Sequence, residues 1–429
     1  MLHWTIAAAQ DAGAERVIVV VRPGEGVEEG LPAGVVAALQ TTGEGTGAAV
    51  LAAREHVDAG QTVVILSADH PLVSADTVAQ LVGTHTQHKA SATLLTTDLL
   101  DPAAYGRIVR DADGNVARIV ETKYPETVDP AELAIREINL GAYAFDADAM
   151  FEALDRVADQ QGELYLTRVF EIFRADGKTV AAHRTEDVLA AQGVNNRRDL
   201  MEVERHARRL LIDQHALAGV TFHNPDTVAI DAAVEIGEDT VIEPGTVLRG
   251  STSIGSGCTI GPNSTLIDAE IGNNVTALHA YITTALVGDD VIIGPFAYLR
   301  PGARIANGAK IGTYVEVKNS NVGAGTKIPH LSYVGDADIG ENTNIGAGNI
   351  TANYHRGVKS RTTIGDGVHT GVDTMFVAPV AVGDGAYTAA GSVITEDVPS
   401  GALAVARPAQ KNVEGYAERL ERESGDGKP

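Results

Sequence analysis

Two short stretches break an otherwise regular sequence, and reactive side chains gather around them. One is TKIPHLSYV, Thr326 to Val334, where His330 follows a proline. The other is NYHRGVKSRT, Asn353 to Thr362. Near these breaks lie Arg300, Lys318, Tyr333, Asn344, Asn353 and Tyr354. An imidazole titrates near neutral pH and can relieve a nucleophile of a proton. Arg offers a planar fork and Lys a point charge to an anionic group. Proton transfer beside an anionic ligand is the chemistry that such a set permits.

The scaffold that must position these residues announces itself by its period. Ile230, Ile236, Ile242, Leu248, Ile254, Ile260 and Leu266 stand six apart without a miss, and Ile293, Leu299, Ile305, Ile311 and Val317 repeat the phase. Gly often follows the aliphatic residue, as in IGEDTV and IGSGCT. A period of six is the signature of a parallel β-helix with three short strands per coil. The aliphatic residues point inward and stack on their copies, and Gly and Asn supply turns with positive φ. A helix of this kind serves as an acyltransferase, a structural spike or an antifreeze surface. The last two need regular faces, whereas loops that leave a rigid scaffold commonly carry function. We expect the repeat to run to about Ile394, within a domain of residues 218–412, and the polar tail 413–429 to fray.

The first 195 residues follow another rhythm. RVIVVVR (16–22), TVVILSAD (62–69) and ASATLLTTDL (90–99) read as strands, and residues 74–89 as a helix capped by Ser74. Alternation of this kind implies an α/β fold with a mostly parallel sheet and helices on both faces. Residues 196–217 form a charged amphipathic helix that links the two halves. The chain opens on a helix, Leu2 to about Gly13, where open α/β nucleotide-binding folds usually begin with a strand and a phosphate loop.

Composition narrows the class further. With 429 residues, two or three domains are expected. The net charge of −24 argues against a nucleic-acid partner, whose phosphates need clustered Lys and Arg. No apolar run is long enough for a membrane span, and the N-terminus lacks a basic n-region and cleavage site. Cys258 is the only cysteine, which fits a reducing cytoplasm and leaves no Cys-based zinc site.

GPFAYLRPGA, VEVKNS, PHLSYVGDADIGENTNIGAG and TANY resemble the acetyltransferase half of the bacterial bifunctional enzymes that make UDP-N-acetylglucosamine. GEGTG, YGRIV, EINLGAY and GVNNR are similar to their uridyltransferase half. The resemblance implies a Rossmann-like nucleotidyltransferase domain followed by a left-handed parallel β-helix, assembled as a homotrimer. It assigns His330 as the general base, and Arg300, Lys318, Tyr333 and Asn344 to the sugar phosphate. Ala347, Asn353, Tyr354, Val372, Ala390 and Arg407 match the acetyl-CoA site, with Val372 standing where the family usually has Ser.

For uridyl transfer from UTP, the resemblance gives Asp69 and Asn195 as Mg²⁺ ligands. Gln40, Gly45, Thr46, Gly106, Glu121, Asn139 and Asn195 are its nucleotide-sugar contacts. SAD (67–69) replaces the usual Tyr-Gly-Asp, and Arg168 replaces an acid. The family's first strand and Gly-rich loop lie before Met1, so we expect a domain truncated at that end and uridyl transfer that is impaired. Two other readings are a single-activity acyltransferase whose first domain has become a regulatory or docking module, and a trimeric scaffold without activity, against which His330, Arg300 and Lys318 speak.

Overall fold

The computed structural model describes residues 1–99, 102, 105–122, 125–157 and 163–425. The chain divides into two units, Met1–Ala207 and Arg208–Pro429.

The first unit runs α1 (Leu2–Asp11), β1 (Ile18–Val21), β2 (Val36–Leu39), α2 (Thr46–Ala52), β3 (Thr62–Ile65), α3 (Ala75–His88), β4 (Ala92–Asp98), β5 (Arg107–Arg110) and β6 (Val116–Val120). It continues with α4 (Pro130–Leu133), β7 (Glu137–Asp146), α5 (Ala147–Leu154), α6 (Val169–Ala175) and β8 (Val180–Arg184). Ser74 caps α3 by accepting from the Thr77 amide at 3.2 Å.

Five strands line up as β6-β5-β7-β4-β8, and β3 pairs with β7 as well. The sheet is mixed rather than mostly parallel. Only β4 and β8 run parallel in it, while β7 is antiparallel to β3, β4 and β5. The reason lies in short connections. Residues 111–115 join β5 to β6, too few for a parallel crossover, and Gly114 and Asn115 bond back to Asp111 in a hairpin turn. β1 and β2 form a separate parallel pair. Both faces of the larger sheet are buried. Leu94 and Phe145 join Phe170 and Phe173 on one side, while Leu95 and Ala144 join Leu81 of α3 on the other.

α7 (Arg197–Leu217) straddles the division between the units. Beyond it the chain winds into a parallel β-helix whose walls are sheets of ten, nine and seven strands. One rung reads Ile230, Leu248, Leu266, Ile282, Leu299, Val317, Val334, each in register with the next. Every member of this rung is at most 7% exposed. Burying such a side chain contributes roughly 1.5–3 kcal/mol, repeated coil after coil. Leu211 and Ile212 at the end of α7 pack onto the first coil, so the core is closed there rather than left open to water.

Of the two breaks expected to leave the scaffold, only one does. Tyr354–His355 and Val358–Lys359 pair as an antiparallel hairpin outside the walls. TKIPHLSYV stays within them. Lys327–His330 pairs with Lys310–Thr313, and Tyr333–Gly335 continues on the next wall against Glu316–Lys318. The phase shift has a local cause. Lys327 follows its partner Lys310 by 17 residues, where Thr259 follows Val241 by 18, because Val322 follows Val317 by five residues rather than six and Asn319 turns that shortened corner at φ 45°. The tail also differs from expectation. Tyr416–Gly425 is helical, with Arg419 lying 5.1 Å from the Tyr416 ring and pairing with Glu423 one turn on. Residues 426–429 lie outside the described residues.

Candidate functional site

The regular coils convert sequence spacing into vertical stacks. Lys327, Asn344, His369 and Tyr387 are bridged to one another in successive coils of one wall. Three residues beyond each of them stand His330, Ala347, Val372 and Ala390. The backbone confirms that these form a second stack at the corner: the Gly348 amide donates to His330 O at 3.2 Å, Asp373 to Ala347 O at 2.8 Å, and Gly391 to Val372 O at 2.9 Å. His330 therefore heads a run of small or medium side chains that descends one coil at a time, about 4.8 Å per step. His330 is exposed, and Ser332 steadies its backbone by donating to His330 O at 2.8 Å. Arg407 is exposed and directly follows Ala406, whose carbonyl accepts from Val393.

The cations stand one wall further on. Lys318 pairs with Gly335, and the next coil up ends on Leu299 and Arg300. Arg300 donates to Glu316 Oε1 at 2.8 Å, and its guanidinium lies 5.9 Å from the Tyr298 ring. That hydrogen bond raises the Arg300 pKa and keeps the group charged. Lys318 Nζ lies 3.1 Å from Asp336 Oδ2. Asp336 is buried and also accepts from Asn319 Nδ2 at 2.6 Å and from Asn353 Nδ2. Burial works against its charge, but hydrogen bonds from Asn319, Lys318 and Asn353 outweigh it and lower its pKa. Tyr333 lies over this corner so closely that any side chain at Gly335 would collide with its ring. Tyr354 opens the hairpin and is 66% exposed. Arg361 ties down the hairpin's return by gripping Asp338 at 2.8 and 2.6 Å.

The structure thus gathers Arg300, Lys318, Tyr333 and Asn353 at one corner, and His330, Ala347, Val372 and Ala390 at the preceding one. Asn344 sits on the wall that leads to His330. Sequence reasoning missed Glu316, Asn319 and Asp336. A signal was there: Glu316 follows Arg300 by 16 residues and Asp336 follows Lys318 by 18, one coil in each case, as their hydrogen bonds show.

In the first unit, Asp69 and Asn195 meet through the backbone, because the Val194 amide donates to Asp69 O at 2.8 Å. Asp69 Oδ1 lies 3.0 Å from His70 Nδ1, and this hydrogen bond lowers the Asp69 pKa against the effect of burial. His70 was not singled out by the sequence. Its ring fills the space beside Gly193, where a Cβ would come within 2.9 Å of Nε2. Asn195 N donates to Asp199 Oδ2 at 3.0 Å. Among the described residues, no group of three or more His, Cys, Asp or Glu side chains could hold a metal. An ion here would rest on one carboxylate, one amide and non-protein oxygens, a set that suits Mg²⁺.

GEGTG is more than a turn. Gly45 has φ 92° and lies so close to Leu164 that a Cβ would come 2.6 Å from its carbonyl oxygen, and Thr46 Oγ1 accepts from the Leu166 amide at 3.1 Å. Gln40 donates to Gly43 O at 3.0 Å and shapes the same loop. Gly106 and Asn139 are adjacent, joined by Asn139 N to Gly106 O at 2.9 Å, and Asn139 Nδ2 bonds Tyr143 at 2.7 Å. Glu121 accepts from Thr167 at 3.1 Å. Arg168 pairs with Glu171 at 2.9 Å.

Comparison with known proteins matches the same two units. The nucleotidyl transferase family matches residues 1–189, and the bacterial transferase hexapeptide family (six repeats) matches residues 233–268 and 284–319. The bifunctional protein GlmU of Mycolicibacterium vanbaalenii is 50% identical over 343 residues, which cover 80% of this chain and 69% of that protein. GlmU of Mycobacterium tuberculosis (strain ATCC 25177 / H37Ra) is 49% identical over the same shares, and that of Mycolicibacterium gilvum 48% over 80% and 68%. An identity near one half across most of both chains, with both domain families matched in the same order, places this chain in the bifunctional GlmU family.

Proposed function

We propose that this chain serves UDP-N-acetylglucosamine synthesis: it transfers acetyl from acetyl-CoA to glucosamine-1-phosphate, and its first unit belongs to the uridyl transfer from UTP to N-acetylglucosamine-1-phosphate. The observation that carries the reading is the pair of neighbouring corners, one headed by the exposed His330 and the other bearing Arg300 and Lys318.

In acetyl transfer, His330 takes a proton from the substrate ammonium and frees the nitrogen lone pair. The amine attacks the thioester carbonyl, the nitrogen of the tetrahedral adduct sheds its extra proton as the adduct collapses, the C–S bond breaks, and CoA leaves as the thiolate, which takes up that proton to become the thiol. Arg300 and Lys318 hold the sugar phosphate, with Tyr333 and Asn344 against the sugar. Asn353 and Tyr354 flank the reacting centre. The stack from His330 through Ala347 and Val372 to Ala390 spans three coils, about 14 Å at 4.8 Å each, a length suited to a pantetheine arm lying against backbone. Arg407 meets a CoA phosphate beyond it.

In uridyl transfer, Asp69 and Asn195 hold Mg²⁺, and GEGTG, Gly106, Glu121 and Asn139 receive the nucleotide and sugar. Mg²⁺ held there would supply positive charge against the phosphate oxygens. Asp69 enters this role by sharing or releasing its bond to His70. No helix among the described residues is long and apolar enough to cross a membrane. We place the enzyme in the cytoplasm, as a homotrimer acting on small molecules.

A paired assay tests the reading. Thiol release from acetyl-CoA with glucosamine-1-phosphate should be robust and fall by about 10²-fold or more in His330→Ala. Pyrophosphate release from UTP with N-acetylglucosamine-1-phosphate should be slow and unchanged by that substitution. Thiol release that survives in His330→Ala would return this histidine to a structural role.

A further inference from the structure

The cation corner contains a buried carboxylate that the transfer chemistry leaves unexplained. Asp336 is 3% exposed and lies one coil below Lys318 and one above Asn353. Both oxygens are engaged. Oδ2 takes Lys318 Nζ at 3.1 Å and Asn353 Nδ2, while Oδ1 takes Asn319 Nδ2 at 2.6 Å and Lys318 again at 3.4 Å. Its backbone is tied as well, with its amide donating to Lys318 O at 3.0 Å and its carbonyl accepting from Thr362 N at 3.2 Å. Asp336 itself sits at φ 49°, a conformation that a residue with a side chain adopts only when its surroundings enforce it.

We propose that Asp336 is a positioning residue for acetyl transfer: it fixes the Lys318 ammonium and the Asn353 amide in the geometry that receives the amino-sugar phosphate. This rests on the proposed function above. The physical content is twofold. A lysine alone is a flexible point charge on four methylenes, and a buried carboxylate beside it removes that freedom. An ionised carboxylate can only accept hydrogen bonds. It therefore draws the NH₂ of Asn353 toward itself and turns the amide oxygen to the opposite side. Asn353 then offers an acceptor, which matches the N–H groups of an amine substrate and not a hydroxyl oxygen in the same place. Asn319, the third donor, steadies the carboxylate without facing the ligand's charge.

Asp336→Asn removes the charge and lets the new amide donate, which releases Lys318 and permits Asn353 to flip. We expect kcat/KM for glucosamine-1-phosphate to fall about tenfold or more, with the KM for acetyl-CoA unchanged. In a Lys318→Met background the same substitution should cost no more than about twofold, because one of its two clients is already gone. Asp268→Asn, which removes an exposed carboxylate that accepts from the Ser251 amide in a distant coil, should leave the sugar KM unchanged. Equal losses toward both substrates, or the same loss with and without Lys318, would overturn the inference. If Asp336→Asn does not fold by circular dichroism, Asn319→Ala replaces it: a rise of about threefold in the sugar KM alone supports the role, and no rise sinks it. A wild-type chain that releases no thiol overturns the proposed function and this inference together. An active wild type that tolerates Asp336→Asn overturns only the inference.

Discussion

His330, Arg300 and Lys318 were legible by type, because imidazole and guanidinium groups near breaks in an apolar repeat have few structural uses. Their partners were not legible by type. Asp336 lies in VGDADIG, which reads as one more turn of the repeat, and only the coil length reveals that it faces Lys318. Val372 shows how much a single side chain can alter within a preserved backbone. It sits in the corner stack below His330, its carbonyl accepts from Gly391 at 2.9 Å, and its side chain is 49% exposed with no hydrogen-bonding atom to offer. The serine usual in the family would add one hydroxyl there. We expect Val372→Ser to lower the KM for acetyl-CoA about fivefold, the effect of one hydrogen bond near 1 kcal/mol, with kcat unchanged. Steady-state kinetics with acetyl-CoA varied checks this, and an unchanged KM would mean that the donor does not pass Val372.

At the scale of elements, the two halves of the chain were unequally readable for a physical reason. The β-helix repeats one local rule, an aliphatic residue turned inward every sixth position, so each coil corroborates the last. The first unit obeys no single rule. β5, β6 and β7 are placed by hairpin turns and by pairing between distant residues, which strand propensity does not register, and the sheet came out mixed. The same logic explains the misjudged break at TKIPHLSYV. A one-residue shortening of a corner disturbs the period as much as an excursion does, yet here the wall continues without a gap. That wall has little room. A Cβ at Gly312 would land on the carbonyl of Pro329 in the next coil, the residue before His330. Gly312→Ala must push those coils apart. We expect a loss of about 1–3 kcal/mol in stability by urea unfolding, and a fall in thiol release larger than the unfolded fraction explains, since His330 moves with Pro329. Retained activity in a destabilised protein would show that the base tolerates a displaced wall.

The whole molecule carries two cores rather than one. Among the described residues, the buried cluster of the β-helix begins at Ile212, and the clusters of the first unit end at Ala191. Their stabilising contacts also differ in kind. The β-helix rests on stacked aliphatic rungs whose neighbours are one coil away, so damage stays local until several coils fail. One face of the first unit's sheet rests on a knot in which Phe145 meets Tyr143, Phe170 and Phe173 with ring centroids 5.6 to 6.3 Å apart. Emptying that knot should therefore separate the two activities. Phe145→Ala leaves a large cavity and should cost the first unit about 3–5 kcal/mol. Calorimetry should then show the transition of the first unit moved to lower temperature and that of the β-helix unmoved. Between the two transitions the protein should still release thiol from acetyl-CoA, because His330, Arg300, Lys318 and the stack below His330 all belong to coils whose core is intact. If both transitions shift together, or if acetyl transfer is lost with the first, the β-helix depends on the first unit for its fold and the two cores act as one.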